Sequence, residues 1–191
     1  CKPNPIRTGF HMNIMNTPEQ ELHRLFGLNL SQVQKVIADA VNHNGGQNAY
    51  GDIYFQDGSA QSITLDQGVI KNTASAIVNG AGVRVVVGDK TGYSPTDHVN
   101  ITNLRDCAKI ARAITNYTAG AQNIPLAASS KLQNLYPVKS SPVDVDVPVK
   151  IAILKKIDQM ARAYDPRIIN VTASISCDYY TVIIVTSLGH I

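Results

Sequence analysis

Long apolar runs are missing from this sequence. The longest such patch, "TVIIVTSLG" at residues 181–189, is the length of a strand and falls short of the roughly 18 residues that cross a bilayer as a helix. No membrane partner is expected. Charge of one sign is also scarce: 17 Lys and Arg against 14 Asp and Glu leave a net +3, and the densest basic cluster is Lys155–Lys156. Without a basic patch, or Arg interleaved with aromatics, a nucleic-acid partner is not expected either. Cysteine is limited to Cys1, Cys107 and Cys177, with no C-x-x-C pair. Three cysteines cannot all pair within one chain, so Cys107 and Cys177 read as reduced, small packing residues of a cytoplasmic protein. Cys1 in first place implies a fragment or the loss of something ahead of it; a mature lipoprotein anchored through Cys1 is the minor alternative.

Catalytic signatures are absent as well. The five histidines, His11, His23, His43, His98 and His190, include no H-E-x-x-H and no pair at i, i+4, the spacing that would put two metal ligands on one helix face. His98 beside Asp97 reads as a solvated helix entrance. Cys107 falls on the apolar stripe of a helix, where burial disfavours the thiolate. "NGAGVR" has a Gly-x-Gly but lacks the third glycine of a dinucleotide motif, and no Lys-Ser/Thr closes a phosphate loop; Gly80 and Gly82 read instead as a bulge or a close backbone approach in a strand. Asn29, Asn100, Asn116 and Asn170 sit in N-x-Ser/Thr sequons, which matter only in a secretory pathway.

What is present is a globular composition, 44% hydrophobic and 16% charged, long enough for one sizeable domain or two small ones. Residues 1–16 are polar and aperiodic. Thr17 as N-cap, Pro18 at the first helical position and Gly27 as stop frame a short helix. A second helix carries Leu30, Val33, Val36, Ile37, Ala40 and Val41 on one face and ends at Gly45–Gly46. The period then changes. "YGDIYFQ", "SITLDQG", "VIKNTASAIV" and "GVRVVVGDKTGYS" read as short strands joined by turns at "DQG" and "GDKTG". A helix over "NITNLRDCAKIARAITNY" buries Leu104, Cys107, Ala108 and Ala111. Residues 118–148 are a polar, proline-dotted connection expected to cross the surface in extended form. The last helix places Ile153, Leu154, Ile157, Met160, Ala161 and Tyr164 at helical spacing and stops at Asp165–Pro166. Two strands, "IINVTASIS" and "YYTVIIVTS", follow, with a turn at Cys177–Asp178. Strands adjacent in sequence without intervening helices predict an α+β fold: a mainly antiparallel sheet of meander strands with helices packed on one face. Tyr50, Tyr54, Phe55 and Tyr93 read as core and cross-strand packing rather than a stacking platform.

"YGDIYFQ", then "LDQGVIKNTASAIVNGAGVRVVVGDKTGYSPTD" and "ARAI", then "LYPVKSSPVDVDVPVKIAILKKIDQMARAYDPRIINVTASISCDYYTVIIVTSLG", in that order, resemble the N-terminal domain of the TldD/PmbA family, also called modulators of DNA gyrase. The likeness runs from about Leu28 to Gly189 and is nearer to TldD than to PmbA. It implies residues 1–27 as an N-terminal arm with a short helix and residues 28–191 as a non-catalytic N-terminal domain. The family's zinc ligands and general-base glutamate come from an H-E-x-x-x-H helix and a later cysteine, both in a C-terminal metallopeptidase domain absent from this chain. The cofactor expectation is therefore none here and zinc in that other domain. The partners implied are an unfolded peptide substrate and a TldD/PmbA-type partner chain, as homo- or heterodimer; the alternative is a stand-alone peptide-binding or regulatory module. The sequence departs from the family where its usual "QGVGVR" is "NGAGVR" and its "GFAYSD" is "GYSPTD", which puts Pro95 after Tyr93. Arg84, Lys90, Thr91 and Tyr93 are the candidate substrate or interface residues.

Overall fold

The computed structural model describes residues 17–41, 49–115 and 140–191. Residues 1–16, the end of the second helix at Gly45–Gly46 and most of the 118–148 connection lie outside the described residues. Thr17 fixes where the first helix begins: its hydroxyl accepts the Gln20 amide at 3.3 Å while the Gln20 side chain accepts the Thr17 amide at 2.9 Å, a reciprocal capping box. Helix α1 (Pro18–Phe26) then stops where Gly27 turns left-handed at φ 67°. Helix α2 (Leu30–Val41) follows, with Val33, Val36, Ile37, Ala40 and Val41 buried as its spacing predicts.

The sheet departs from the sequence reading. The first two expected strands are one, β1 (Ala49–Asp66), and the next is β2 (Val69–Val87), which takes in most of the fourth expected segment; β3 (Lys90–Thr96) is short. The two late strands are likewise one, β4 (Thr172–Thr186). Cys177–Asp178 is no turn because both residues run extended within β4; among the described residues Gln67 is the one non-glycine with a positive φ. Gly58, Gly80 and Gly82 also keep ordinary strand dihedrals, so glycine here marks close packing and not chain reversal. The sheet order is β3-β2-β1-β4. β2 and β3 pair antiparallel from Ala81↔Thr96 to Val87↔Lys90. β4 lies antiparallel beside β1: Ser187 and Gly51 exchange hydrogen bonds at one end, and the Thr172 hydroxyl donates to Asp66 at the other. The fold is the expected α+β arrangement.

The chain divides into two compact units, and β1, β2 and β4 each contribute residues to both. One unit contains α1, α2, β3, helix α3 (Ile101–Thr115) and the remaining parts of the three long strands, residues 49–58, 78–87 and 180–186. Its core joins Val33, Ile37, Ile53, Phe55, Val83, Val85, Leu104 and Ala111, all buried. Phe26 packs on Phe55 with ring centroids 5.2 Å apart. Cys107 is buried there, its Sγ 3.5 Å from the Pro95 carbonyl oxygen. The other unit contains residues 59–77 and 140–179, including a single 3-10 turn (Pro142–Asp144) and helix α4 (Val147–Tyr164). Its core is smaller: Ile63, Leu65 and Leu154, with Ile70, Val147, Ile151, Ala173 and Ile175 packed around them. Lys150 is buried beside this core but satisfied, donating to Gln61 Oε1 at 2.6 Å and to the Val143 carbonyl at 3.0 Å.

Helix α4 corrects the expected stripe. Leu154 is fully buried, but Ile153, Ile157, Met160 and Tyr164 face solvent. The helix has two apolar faces about a quarter-turn apart, and helical spacing alone does not say which one meets the sheet. Leu154→Asp is accordingly expected to unfold the unit, because an unpaired buried carboxylate costs several kcal/mol, comparable with the whole stability of a domain. His98, exposed at the entrance to α3, is expected to tolerate alanine. Thermal melts of the two variants check this; equal melting temperatures would refute the placement of α4.

Candidate functional site

In the unit that carries α2 and α3, both helices lie over the same face of the sheet. A Cβ built on Gly51 would meet Val41 and Ile37 of α2, and one on Gly92 would collide with the Ala111 carbonyl oxygen of α3. Side chains alternate along a strand, so Tyr50, Asp52 and Tyr54 of β1 point to the face opposite α2 and α3. Arg84 joins them from β2, because its guanidinium lies on Asp52.

The centre of that face is an ion pair. Arg84 Nε donates to Asp52 Oδ2 at 3.0 Å, and Nη2 donates to the same oxygen. Asp52 is buried beneath this contact while half of the Arg84 side chain remains exposed. The Arg84 Cζ stands 6.0 Å from the centroid of the Tyr50 ring, the outer limit of a cation–π contact. Burial, and then the Asp52 carboxylate, push the Tyr50 phenol above its ordinary value. The hydrogen bond to Asp52 raises Arg84 further above its already high value, so its positive charge is permanent. Tyr93 lies directly opposite Arg84 in the β2–β3 register. Its ring crosses Gly82, where any Cβ would collide with the Tyr93 hydroxyl. That is the close approach expected of this glycine.

Of the four candidates, Arg84, Thr91 and Tyr93 share this face. Lys90 does not: it pairs with Val87 and has the parity of Gly92 and Ser94, which are both buried on the helix side. Nor is Gly92 part of the turn. The reversal is Gly88–Asp89, with Gly88 at φ 62°, and Gly92 is small because α3 passes directly over it. Pro95 is accommodated as the partner of Gly82 within β3, an edge strand where a missing N–H is tolerated. Phe55 belongs to the core as read, whereas Tyr93 is half-exposed. Asp52 was not singled out from sequence. Its signal is the period-two placement between two tyrosines in "YGDIY", which puts a carboxylate in the middle of an aromatic face.

This arrangement can bind but has little means of catalysis. It offers a fixed cation, phenol hydroxyls and ring faces, with neither a nucleophile nor a base held against one. Among the described residues no three His, Cys, Asp or Glu side chains come together in a way that could hold a metal ion, so these residues do not fit a zinc site. His98 and Asp97 are 4.0 Å apart and both exposed. A separate recess of about 290 Å³ is lined by Val36, Asp39 and Ala40 of α2 and by Arg105, Lys109 and the buried Arg112, among others, of α3. The residues that line it include no histidine, cysteine or hydroxyl side chain.

Two models of one family match consecutive parts of the chain: PmbA/TldA metallopeptidase domain 1 over residues 51–115, and the PmbA/TldA metallopeptidase central domain over residues 140–191. The chain belongs to the PmbA/TldD family. A metalloprotease TldD homolog of Haemophilus influenzae is 33% identical over 145 residues, covering 73% of this chain and 29% of its own length. A TldD homolog of Buchnera aphidicola is 30% identical over 164 residues, covering 86% and 33%. The chain thus spans about a third of the length of these PmbA/TldD relatives. In fold it is similar to the crystal structure of a protein described as a modulator of DNA gyrase from Thermotoga maritima, with a TM-score of 0.66 at 18% identity over 85% of this chain and 36% of that one. Asp52, Arg84 and Tyr93 all lie in the domain 1 match of the PmbA/TldD family; α4 and β4 lie in its central-domain match.

The raised Tyr50 phenol has a pH consequence. Folding favours its neutral form, so its contribution is complete below the unfolded tyrosine value near 10 and is lost as pH rises through the higher folded value. In an alkaline titration followed by phenolate absorbance, Tyr50→Phe is expected to remove a late-ionising component and to lessen the loss of stability above that range. An unchanged titration curve would contradict the burial of Tyr50 beside Asp52.

Proposed function

We propose that this chain is the N-terminal, non-catalytic part of a TldD-like zinc metallopeptidase that cleaves unfolded peptides. In this reading the sheet face around Arg84, Asp52 and Tyr93, opposite α2 and α3, forms a wall of the substrate chamber. What supports it is the pairing of two family-model matches with a face on which a guanidinium held by a buried carboxylate lies beside tyrosine rings. A permanent guanidinium flanked by tyrosines can meet the carbonyls and apolar side chains of an extended peptide whatever its sequence. That suits an enzyme whose substrates are unfolded. The zinc, its ligands and the general base belong to a further C-terminal domain, and no step is assigned to them here. A TldD/PmbA-type partner chain and a cytoplasmic location complete the proposal. Among the described residues no helix is long and apolar enough to cross a membrane.

The test uses a longer polypeptide in which this chain is joined to an H-E-x-x-x-H domain. Lys90→Ala with Tyr93→Ala, and Tyr93→Ala alone, are expected to lower cleavage of an unfolded peptide several-fold while leaving the melting temperature near the parental one. Because Lys90 falls on the other side of β3, the single Tyr93 change should account for most of the loss. Parental cleavage rates in both variants would remove the wall assignment. Peptide cleavage by the present chain alone, or one tightly held zinc per chain by elemental analysis, would overturn the division of labour.

A further inference from the structure

The recess lined by α2 and α3 receives charge from both helices and is otherwise apolar. Val36, Asp39 and Ala40 stand at i, i+3 and i+4 of α2, on one face of that helix. Arg105, Lys109 and Arg112 follow at i, i+4 and i+7 of α3 and share a face in the same way. Ala108 and Ala113 complete the apolar part of the lining. Lys109 is engaged with Asp106 at 2.9 Å, and Arg112 is buried. Asp39 and Arg105 are both exposed. Although they line one recess, these two opposite charges make no salt bridge with each other.

We propose that this recess binds a free α-amino acid with an aliphatic side chain. The carboxylate meets the Arg105 guanidinium, the ammonium meets Asp39, and the side chain lies against the valine and alanines. The volume, about 290 Å³, falls just below the roughly 300–1,000 Å³ of most small-molecule sites, which suits a single amino acid. Guanidinium–carboxylate forks are among the strong charge-assisted hydrogen bonds. The lining carries three cations against one carboxylate, so its field favours the carboxylate end. Arg112 adds a permanent buried charge to that field whatever else it holds. A phosphate or dicarboxylate would bring a second negative charge against Asp39, and the alkyl lining offers it no donor. A residue inside a peptide chain carries neither free charged end, so the unfolded peptide of the proposed function does not satisfy this site. The recess belongs to the α2–α3 side of the sheet, away from Arg84, and does not rest on the peptidase reading.

The test is a titration of the chain with L-leucine, followed by the amide NMR shifts of α2 and α3. Saturable shifts at Val36–Ala40 and Arg105–Ala113 are expected in millimolar leucine. Isocaproate is leucine without its ammonium, and isopentylamine is leucine without its carboxylate. Each should bind about fivefold or more weakly, the worth of one exposed ion pair. Glycine, with both charges and no side chain, should leave the shifts unchanged. Asp39→Asn should weaken leucine to the level of isocaproate and leave isocaproate no weaker. Arg105→Gln should weaken leucine and isocaproate alike and leave isopentylamine no weaker. Both positions are exposed, so circular dichroism should stay parental. No saturable shift with leucine, isocaproate binding as tightly as leucine, or unchanged leucine binding in both variants would each overturn the proposal. Tighter binding of a dileucine peptide than of leucine would assign the recess to peptide ends and overturn it as well.

Discussion

The packing of the sheet around Leu154 depends on one two-residue reversal. Gln67 and Gly68 both take left-handed dihedrals, φ 51° and 79°, the requirement of a hairpin turn whose twist matches its strands. That turn joins β1 to β2, strands of 18 and 19 residues, far longer than the usual 3–10, and fixes their pairing beside the hairpin. A slip of one residue would send every side chain to the other face. Beside the hairpin, Ile63 and Leu65 would then leave the core around Leu154. One glycine after a glutamine therefore underwrites the core around Leu154. The register is reinforced near the hairpin by the Gln67 amide, which donates to the Val171 carbonyl at 2.9 Å and ties β4 to the same end.

The two family matches and the two units describe a scaffold, and its parts divide between packing and presentation. On the helix side, Gly51 and Gly92 are small so that α2 and α3 can lie close. On the other side Gly82 is small so that Tyr93 can lie flat. The same residue type thus serves burial on one face and presentation on the other. Asp52 is what turns that second face from a plain apolar surface into one with a fixed charge. A buried carboxylate needs its cation, so Arg84 is held in place instead of sampling the rotamers open to a free arginine.

Local chemistry was legible in the sequence, and strand continuity was not. The capping box at Thr17, the stop at Gly27, the helix over Cys107, the turn at Asp66–Gly68 and the tight packing at Gly82 all follow from single residues with strong conformational meaning. The strand breaks expected after Gln56 and at Cys177–Asp178 do not exist, because glycine, asparagine and aspartate permit turns without requiring them; tertiary pairing decided. Helix α4 was found but its buried face was misjudged, since Leu154 and Ile157 are equally apolar and only the sheet chooses between them. Arg84 and Tyr93 were both among the four candidates, but that they face one another was not legible; the β2–β3 register supplies it. Asp52 was hidden by its distance in sequence from Arg84, which only the β1–β2 register closes.

The claim that most needs testing is that the Arg84–Tyr93 face, and not the helix side, meets the substrate peptide. The direct measurement is site-specific photo-cross-linking in a longer polypeptide that carries this chain and an H-E-x-x-x-H domain, incubated with an unfolded peptide. Cross-linkers at Tyr93 and Tyr54 are expected to capture the peptide, while one at the exposed His98 captures none above background. Equal capture at all three positions, or capture at His98 alone, would contradict the account.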